Sequence, residues 1–100
     1  SAHPHTLGTS AMPILSVFFG IIVRMWHGDH LPPHIHVEYQ GFEALVDIQT
    51  GSISEGRLPN KAATLVKEWC MRHQAKLLAN WEHGQRFEPM ERIPGADQDD

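Results

Sequence analysis

Residues 34–48, HIHVEYQGFEALVDI, decide the fold of this chain. Apolar and polar side chains alternate on both sides of Gln40-Gly41, which is typical of two half-buried strands joined by a two-residue turn. Glycine in such a turn supplies the positive φ that other residues rarely adopt. We therefore predict an antiparallel hairpin that pairs His34 to Tyr39 with Phe42 to Ile48.

The turn also fixes the register of this hairpin, because side chains alternate between the two faces of a strand and directly opposite residues share a face. The predicted core face pairs Tyr39 with Phe42, Val37 with Ala44 and Ile35 with Val46. The other face sets His34 opposite Asp47 and His36 opposite Leu45. We therefore expect two histidines and an aspartate to lie together on the sheet surface that faces away from the main core.

Segments on either side of the hairpin extend it into a meander. Residues 14–26 form one long β-prone run that is apolar on both faces, which predicts a central strand. Gly20 in the middle of this run indicates a bulge or a break into two shorter strands. Thr50-Gly51 offers a second turn that leads into residues 52–58. The predicted sheet is thus an antiparallel meander of three to four strands.

A single long helix is predicted over residues 61–83, with Asn60 as its cap and Gly84 just beyond its end. Leu78 falls on the polar side of this helix, which indicates a bend near Gln74 or a contact with another chain. The apolar stripe at 100° per residue comprises Ala62, Leu65, Val66, Trp69, Cys70, His73 and Leu77. The predicted class is α+β, with an antiparallel β-meander of three to four strands and one long C-terminal amphipathic helix packed on one face.

Composition is that of a single globular domain, with 100 residues, 41% of them hydrophobic, and a mean hydropathy of −0.33. We expect residues 1–11 to be a disordered extension or a remnant of cloning, residues 12–94 to form one domain, and residues 95–100 to be a disordered acidic tail. Without the three aspartates of this tail, 9 acidic residues face 8 basic ones, so the body carries about −1 rather than −4. A near-neutral body excludes the broad basic footprint of sequence-independent nucleic-acid binding, although not a small local patch.

The sequence also indicates the cellular compartment of the protein. With one cysteine, Cys70, no intramolecular disulfide can form, and the apolar stretch at residues 14–23 is too short to span a bilayer. This stretch does not resemble the h-region of a secretory signal either. We therefore expect a cytoplasmic protein that does not associate with membranes.

Four of the eight histidines fall within residues 27–36, where titratable side chains are densest. One interpretation is a metal site, in which His34 and His36 bind zinc together with His30 or Asp47. Neutral imidazoles and one carboxylate form three-ligand zinc sites that keep an open position. No other cofactor is expected from the sequence.

A second interpretation is a metal-independent ribonuclease. The 2′-hydroxyl of RNA supplies an internal nucleophile, so His34 and His36 would act as general acid and base while Asp47 orients His34. The candidate binding residues around them are Asp29, His30, Arg24, Arg57 and Lys61, of which the last three offer a cation to phosphate.

A third interpretation is structural. The histidines would hydrogen-bond the backbone of the loop and support Pro32-Pro33, or they would form a contact surface for another protein. Spacing alone does not separate the three interpretations, so all of them stay open at this point.

Several strings resemble the small bacterial family catalogued as domain of unknown function 4160. They are DHLPPHIHVEY at residues 29–39, A-x-V-D-I-x-T-G at 44–51, G-x-L-P at 56–59 and a helix pattern at 63–81, within a likeness that covers residues 12–94. The resemblance implies a bacterial cytoplasmic protein with a small protein partner encoded by a neighbouring gene, as in toxin–antitoxin operons, and RNA as a further candidate partner. The family supplies no catalytic residues. The expected function is a partner-binding component of a toxin–antitoxin-like pair.

Overall fold

The structure is a computed structural model that describes residues 12–99. The extension predicted over residues 1–11 lies outside the described residues, as does Asp100. The elements in chain order are β1 (Ile14–Phe18), β2 (Ile21–Arg24), β3 (His34–Tyr39), β4 (Phe42–Asp47), β5 (Ile53–Gly56), α1 (Asn60–Arg72), α2 (Gln74–Gln85) and a 3-10 turn at Ala96–Gln98. Neither α1 nor α2 combines the length and the apolar character that crossing a membrane requires.

The five strands form one antiparallel sheet in the order β1-β2-β3-β4-β5, which confirms the α+β class and the meander. The predicted count of three to four strands was too low. The chain turns at Phe19-Gly20, where both residues have positive φ (52° and 79°), so the apolar run becomes a hairpin of β1 and β2. The sequence was consistent with either a bulge or a break at Gly20, and the structure has the break.

The predicted register of the central hairpin is confirmed. His34 is paired with Asp47, His36 with Leu45 and Tyr39 with Phe42, and the turn falls at Gln40-Gly41. The predicted core face is buried at Ile35, Val37, Ala44 and Val46, while Tyr39 and Phe42 pack against the core from its margin.

The prediction of a single long helix in the C-terminal part is wrong. The helix breaks at His73, where φ is −108° and ψ is 23°. The break lies one residue before the predicted bend. It lets each helix bury its own side: α1 packs Trp69 against Phe18, with ring centroids 5.1 Å apart, while α2 buries Leu77 and Trp81.

The end of the described chain, up to Asp99, packs against the domain, whereas the sequence predicts a disordered acidic tail from residue 95 on. The N–H of Ile93 donates to the carbonyl of Leu15 in β1 at 2.8 Å. Further along, an oxygen of Asp99 lies 3.1 Å from Nε2 of His73, at the junction of the two helices. The aspartate is therefore part of the described fold and has a specific partner.

Candidate metal centre

Asp29 lies in the loop between β2 and β3, and its carboxylate is held at one oxygen. The backbone N–H of His30 donates to Oδ1 at 2.8 Å, and the ring Nδ1 of His30 is 3.0 Å from the same oxygen. The Gln85 side chain of α2 donates to the backbone carbonyl of Asp29 at 2.9 Å. These contacts leave Oδ2 as the oxygen that faces the start of β3.

Two histidines of β3 meet this oxygen, because His34 and His36 are two residues apart and therefore share a face of the strand. Nε2 of His34 is 2.9 Å from Oδ2 of Asp29, and Nε2 of His36 is 3.4 Å from it. One ligand atom from each of the three side chains lies within 4.8 Å of the other two. We call Asp29, His34 and His36 the Asp29 cluster.

His34 is the most buried member of the Asp29 cluster, at 5% exposure. Its Nδ1 donates to the carbonyl of Pro32 at 2.7 Å, so in the neutral ring Nε2 carries a lone pair. Although Nε2 is close to Asp29, the two groups are not aligned for a hydrogen bond, and this buried nitrogen has no hydrogen-bond partner. A buried polar atom in that state is unfavourable and calls for an explanation such as an ion.

The protonation states of the other two members favour cation binding. Burial alone would raise the pKa of Asp29, but the hydrogen bonds from the His30 backbone and the His36 ring, with the nearby His34 and His30 rings, outweigh it and hold this pKa below its usual range. Burial lowers the pKa of His36, and its hydrogen bond to Asp29 only partly offsets that effect. At neutral pH the cluster therefore offers an ionised carboxylate and a neutral imidazole.

Aromatic rings and the proline loop enclose the Asp29 cluster. The ring of Trp81 in α2 lies 5.4 Å from that of His34, and Trp26 meets the ring of His36 edge-on at 6.2 Å. The loop reaches β3 through a cis Leu31–Pro32 peptide. His30, whose side chain is 81% exposed, marks the side on which the cluster opens to solvent.

The carboxylate of Asp47 has a different partner from the one that the register suggested. Its Cα lies opposite that of His34, but its Oδ1 accepts the backbone N–H of Gln49 at 2.7 Å, within the turn that follows β4. The carboxylate beside His34 belongs to Asp29, which the sequence had placed only among the binding candidates. The expectation that His34 lies on the sheet surface is also wrong, since the ring is buried beside Trp81.

The three cations proposed for phosphate binding are spread over the domain. Nε of Arg24 lies 3.1 Å from the carboxylate of Glu38, and the guanidinium of Arg57 lies over the ring of Phe42 at 5.6 Å. Lys61 is exposed in the first turn of α1. Arg24 does lie beside the Asp29 cluster, because its Cα is paired with that of His36 across β2 and β3, but its guanidinium contacts Glu38.

The sheet surface next to the Asp29 cluster is acidic. A cavity of about 320 Å³ lies there, and its wall includes His36 together with the carboxylate residues Glu38, Glu43 and Glu55. Of these, Glu38 is paired with Arg24. Such a surface repels phosphate, so it opposes the binding of RNA beside His36.

Comparison with known protein families gives a match to part of the chain. The family model described as "Domain of unknown function (DUF4160)" matches residues 20–82, a range that contains the Asp29 cluster and the four strings noted in the sequence. No curated protein and no solved structure matches the chain. Since the family model covers more than half of the 100 residues, the chain belongs to the DUF4160 family.

Proposed function

We propose that this protein is a metal-binding domain that holds a divalent transition-metal ion, by preference zinc, in the Asp29 cluster. The observation that carries the proposal is the buried Nε2 of His34, which has no hydrogen-bond partner and stands 2.9 Å from Oδ2 of Asp29. An ion bound to these two atoms would give Nε2 of His34 the partner that it lacks. Two imidazoles and one carboxylate are a ligand set that zinc commonly takes.

The distances within the Asp29 cluster support this proposal. A tetrahedral zinc ion with bonds of about 2.0–2.1 Å holds its ligand atoms about 3.3 Å apart. The separations from Oδ2 of Asp29 to the two ring nitrogens, 2.9 Å and 3.4 Å, lie on either side of that value. Adjustments of a few tenths of an ångström would therefore bring these two separations to the value of a tetrahedral ion.

The groups behind the ligands support the proposal as well. Histidines that bind metals usually donate their second ring N–H to a carbonyl or a carboxylate, which fixes the tautomer and the orientation of the ring. His34 does so through Nδ1 and the carbonyl of Pro32. The N–H of His30 likewise fixes Oδ1 of Asp29 and leaves Oδ2 for the ion.

An ion on these three ligands would have room for a fourth on the exposed side of the cluster. In catalytic zinc sites that position holds water or substrate, and the ion acts as a Lewis acid or lowers the pKa of the bound water. Within the cluster, Asp29 would also neutralise part of the charge of the ion.

Zinc titration of the purified protein tests the proposal. Isothermal titration calorimetry should give close to one zinc ion per chain for the wild type. His34→Ala and His36→Ala should each weaken binding by at least about tenfold, since even the loss of an outer-shell partner typically costs about 10–100-fold.

The matched control for this titration is His83→Ala, which removes a half-exposed histidine of α2 that pairs with Glu88. It should leave the zinc affinity unchanged. The proposal is overturned if the wild type takes up no stoichiometric zinc, or if all three variants bind zinc like the wild type. The His36 variant keeps the test valid should the loss of the buried His34 unfold the domain.

The toxin–antitoxin-like partnership and ribonuclease activity stay predictions. For the partnership, the test is direct binding between this protein and the product of the neighbouring gene. For the ribonuclease, the test is growth arrest on expression of the wild type but not of His34→Ala or His36→Ala. The acidic wall beside His36 makes the ribonuclease the weaker of the two.

A further inference from the structure

His30 stands at the exposed mouth of the Asp29 cluster. Its Nδ1 is 3.0 Å from Oδ1 of Asp29, and its ring centroid is 5.4 Å from that of His34. Its side chain is nevertheless 81% exposed, whereas the side chains of Asp29, His34 and His36 are 11%, 6% and 25% exposed. Three ligand groups are therefore held by packing, and a fourth group beside them, the imidazole of His30, is largely exposed to solvent.

Only the side chain of His30 would have to move to reach an ion in the cluster. Its backbone is already fixed, because its N–H donates to Oδ1 of Asp29 at 2.8 Å. An ion bound to Oδ2 lies about 2 Å from that oxygen, and the ring nitrogen of His30 already touches the neighbouring oxygen of the same carboxylate. Rotation of an exposed side chain between rotamers is fast and meets little steric resistance.

We infer that His30 is an exchangeable fourth ligand of the metal ion. This inference rests on the proposed function and adds a means of controlling access to the ion. In the resting state His30 closes the tetrahedral shell. When an external donor binds the ion, His30 leaves it and returns to Oδ1 of Asp29, the position seen in the structure.

The contact between His30 and Asp29 lowers the free-energy cost of such an exchange. On leaving the ion, the His30 ring returns to a close contact with a carboxylate oxygen, 3.0 Å from its Nδ1, so neither of its two positions leaves the imidazole without a neighbour of opposite polarity. The site would thus be closed against adventitious ligands and open to a donor that binds the ion better than an exposed imidazole does.

Cobalt(II) substitution tests the inference, because the visible spectrum of this ion reports its coordination number. The wild type should show the strong bands of a four-coordinate ion and respond little to added imidazole. His30→Ala should show weaker bands and about tenfold lower cobalt affinity, as for the loss of a weak ligand. Free imidazole should restore the wild-type spectrum of this variant, because it fills the vacant position.

The control is again His83→Ala, which should match the wild type in spectrum, in affinity and in its response to imidazole. If His30→Ala matches the wild type in all three, while His34→Ala abolishes cobalt binding, the inference fails and the metal centre stands. If the wild type binds no cobalt or zinc, the proposed function fails and the inference falls with it. Because His30 is exposed, its replacement should not unfold the domain, and circular dichroism checks this.

Discussion

Nε2 of His34 lies 2.9 Å from Oδ2 of Asp29, although Nδ1 of the same ring already donates its proton to the carbonyl of Pro32. In the neutral ring, two lone-pair atoms therefore lie close together in a largely buried place. A cation between them would turn this repulsion into two bonds. The metal-free domain should accordingly be less stable than the metal-bound one.

Zinc should therefore raise the unfolding temperature. A ligand that binds only the folded state at 100 times its Kd stabilises that state by about 2.7 kcal/mol, which corresponds to a shift of roughly 10–20 °C in a domain of this size. Differential scanning calorimetry with and without zinc measures the shift. Magnesium is the matched control and should have little effect, because it prefers a shell of oxygen ligands. Equal unfolding temperatures with zinc and with magnesium would contradict the expectation.

Asp29→Asn and Asp47→Asn form a matched pair that separates the two aspartates near His34. We expect Asp29→Asn to weaken zinc binding by at least about tenfold, since it removes the charged ligand. Asp47→Asn should leave zinc binding unchanged, because the Asp47 carboxylate accepts the N–H of Gln49 instead. Calorimetric titration of both variants decides the matter. A larger loss in Asp47→Asn would restore the role that the register had suggested for it.

These two aspartates show where prediction from the sequence ends at the site. Strand alternation and the Gln40-Gly41 turn were enough to set the Cα of Asp47 opposite that of His34, and the structure has that register. Alternation says nothing about where a side chain at the end of a strand turns. It also says nothing about how a loop with two prolines folds back, which is what brings Asp29 to the histidines.

For the fold, too, the sequence predicted some features and left others undecided. Turn chemistry and periodicity predicted the meander and the face that packs on the helices. They did not decide between a bulge and a turn at Gly20, because both meanings are consistent with a glycine in an apolar run. The break at His73 depends on how each helix meets the sheet, and only the displaced Leu78 indicated it in advance.

Alanine substitutions at Gly56 and Gly41 test how closely the backbone is packed at these two positions of the sheet. Both have positive φ, 79° and 85°, but a Cβ on Gly56 would overlap the carbonyl oxygen of Glu43, whereas a Cβ on Gly41 would meet open space. Gly41→Ala should cost about 1 kcal/mol of unfolding free energy through backbone strain alone. Gly56→Ala should cost about 3 kcal/mol or more, since the clash adds to the strain. Urea unfolding compares them, and equal losses would count against the crowding at Gly56.

Asp99 and Asp97 test whether the end of the chain belongs to the fold. Asp99 contacts Nε2 of His73 at 3.1 Å, with Arg72 nearby at 3.6 Å, while Asp97 is exposed. Asp99→Asn should lower the unfolding free energy by about 1 kcal/mol, because it weakens a partly buried charged contact. Asp97→Asn should change it by less than about 0.5 kcal/mol. Equal and negligible effects in urea unfolding would return residues 95–99 to the free tail predicted from the sequence.

Because of Cys70, the stability of the folded protein should depend on pH in the alkaline range. Burial raises the pKa of its thiol from 9.0 to about 11, and the negative charge of Asp47 adds to the effect. Because the folded state favours the protonated thiol, this contribution to stability is complete below about pH 9 and is lost as the pH rises towards about 11. The free energy of unfolding should therefore fall over this range, and the fall should be smaller in Cys70→Ala, which has no thiol to ionise.

Alkylation provides a second measurement on Cys70. Only the thiolate reacts, and the thiol is buried with its Sγ 3.7 Å from the carbonyl of Ile48. At pH 9.0, where an unperturbed thiol is half ionised, iodoacetamide should modify the native protein slowly and the urea-unfolded protein fast. Since the reaction would then require opening of the core, zinc should slow it further by stabilising the folded state. A native rate that equals the unfolded rate would mean that the helix does not cover Cys70.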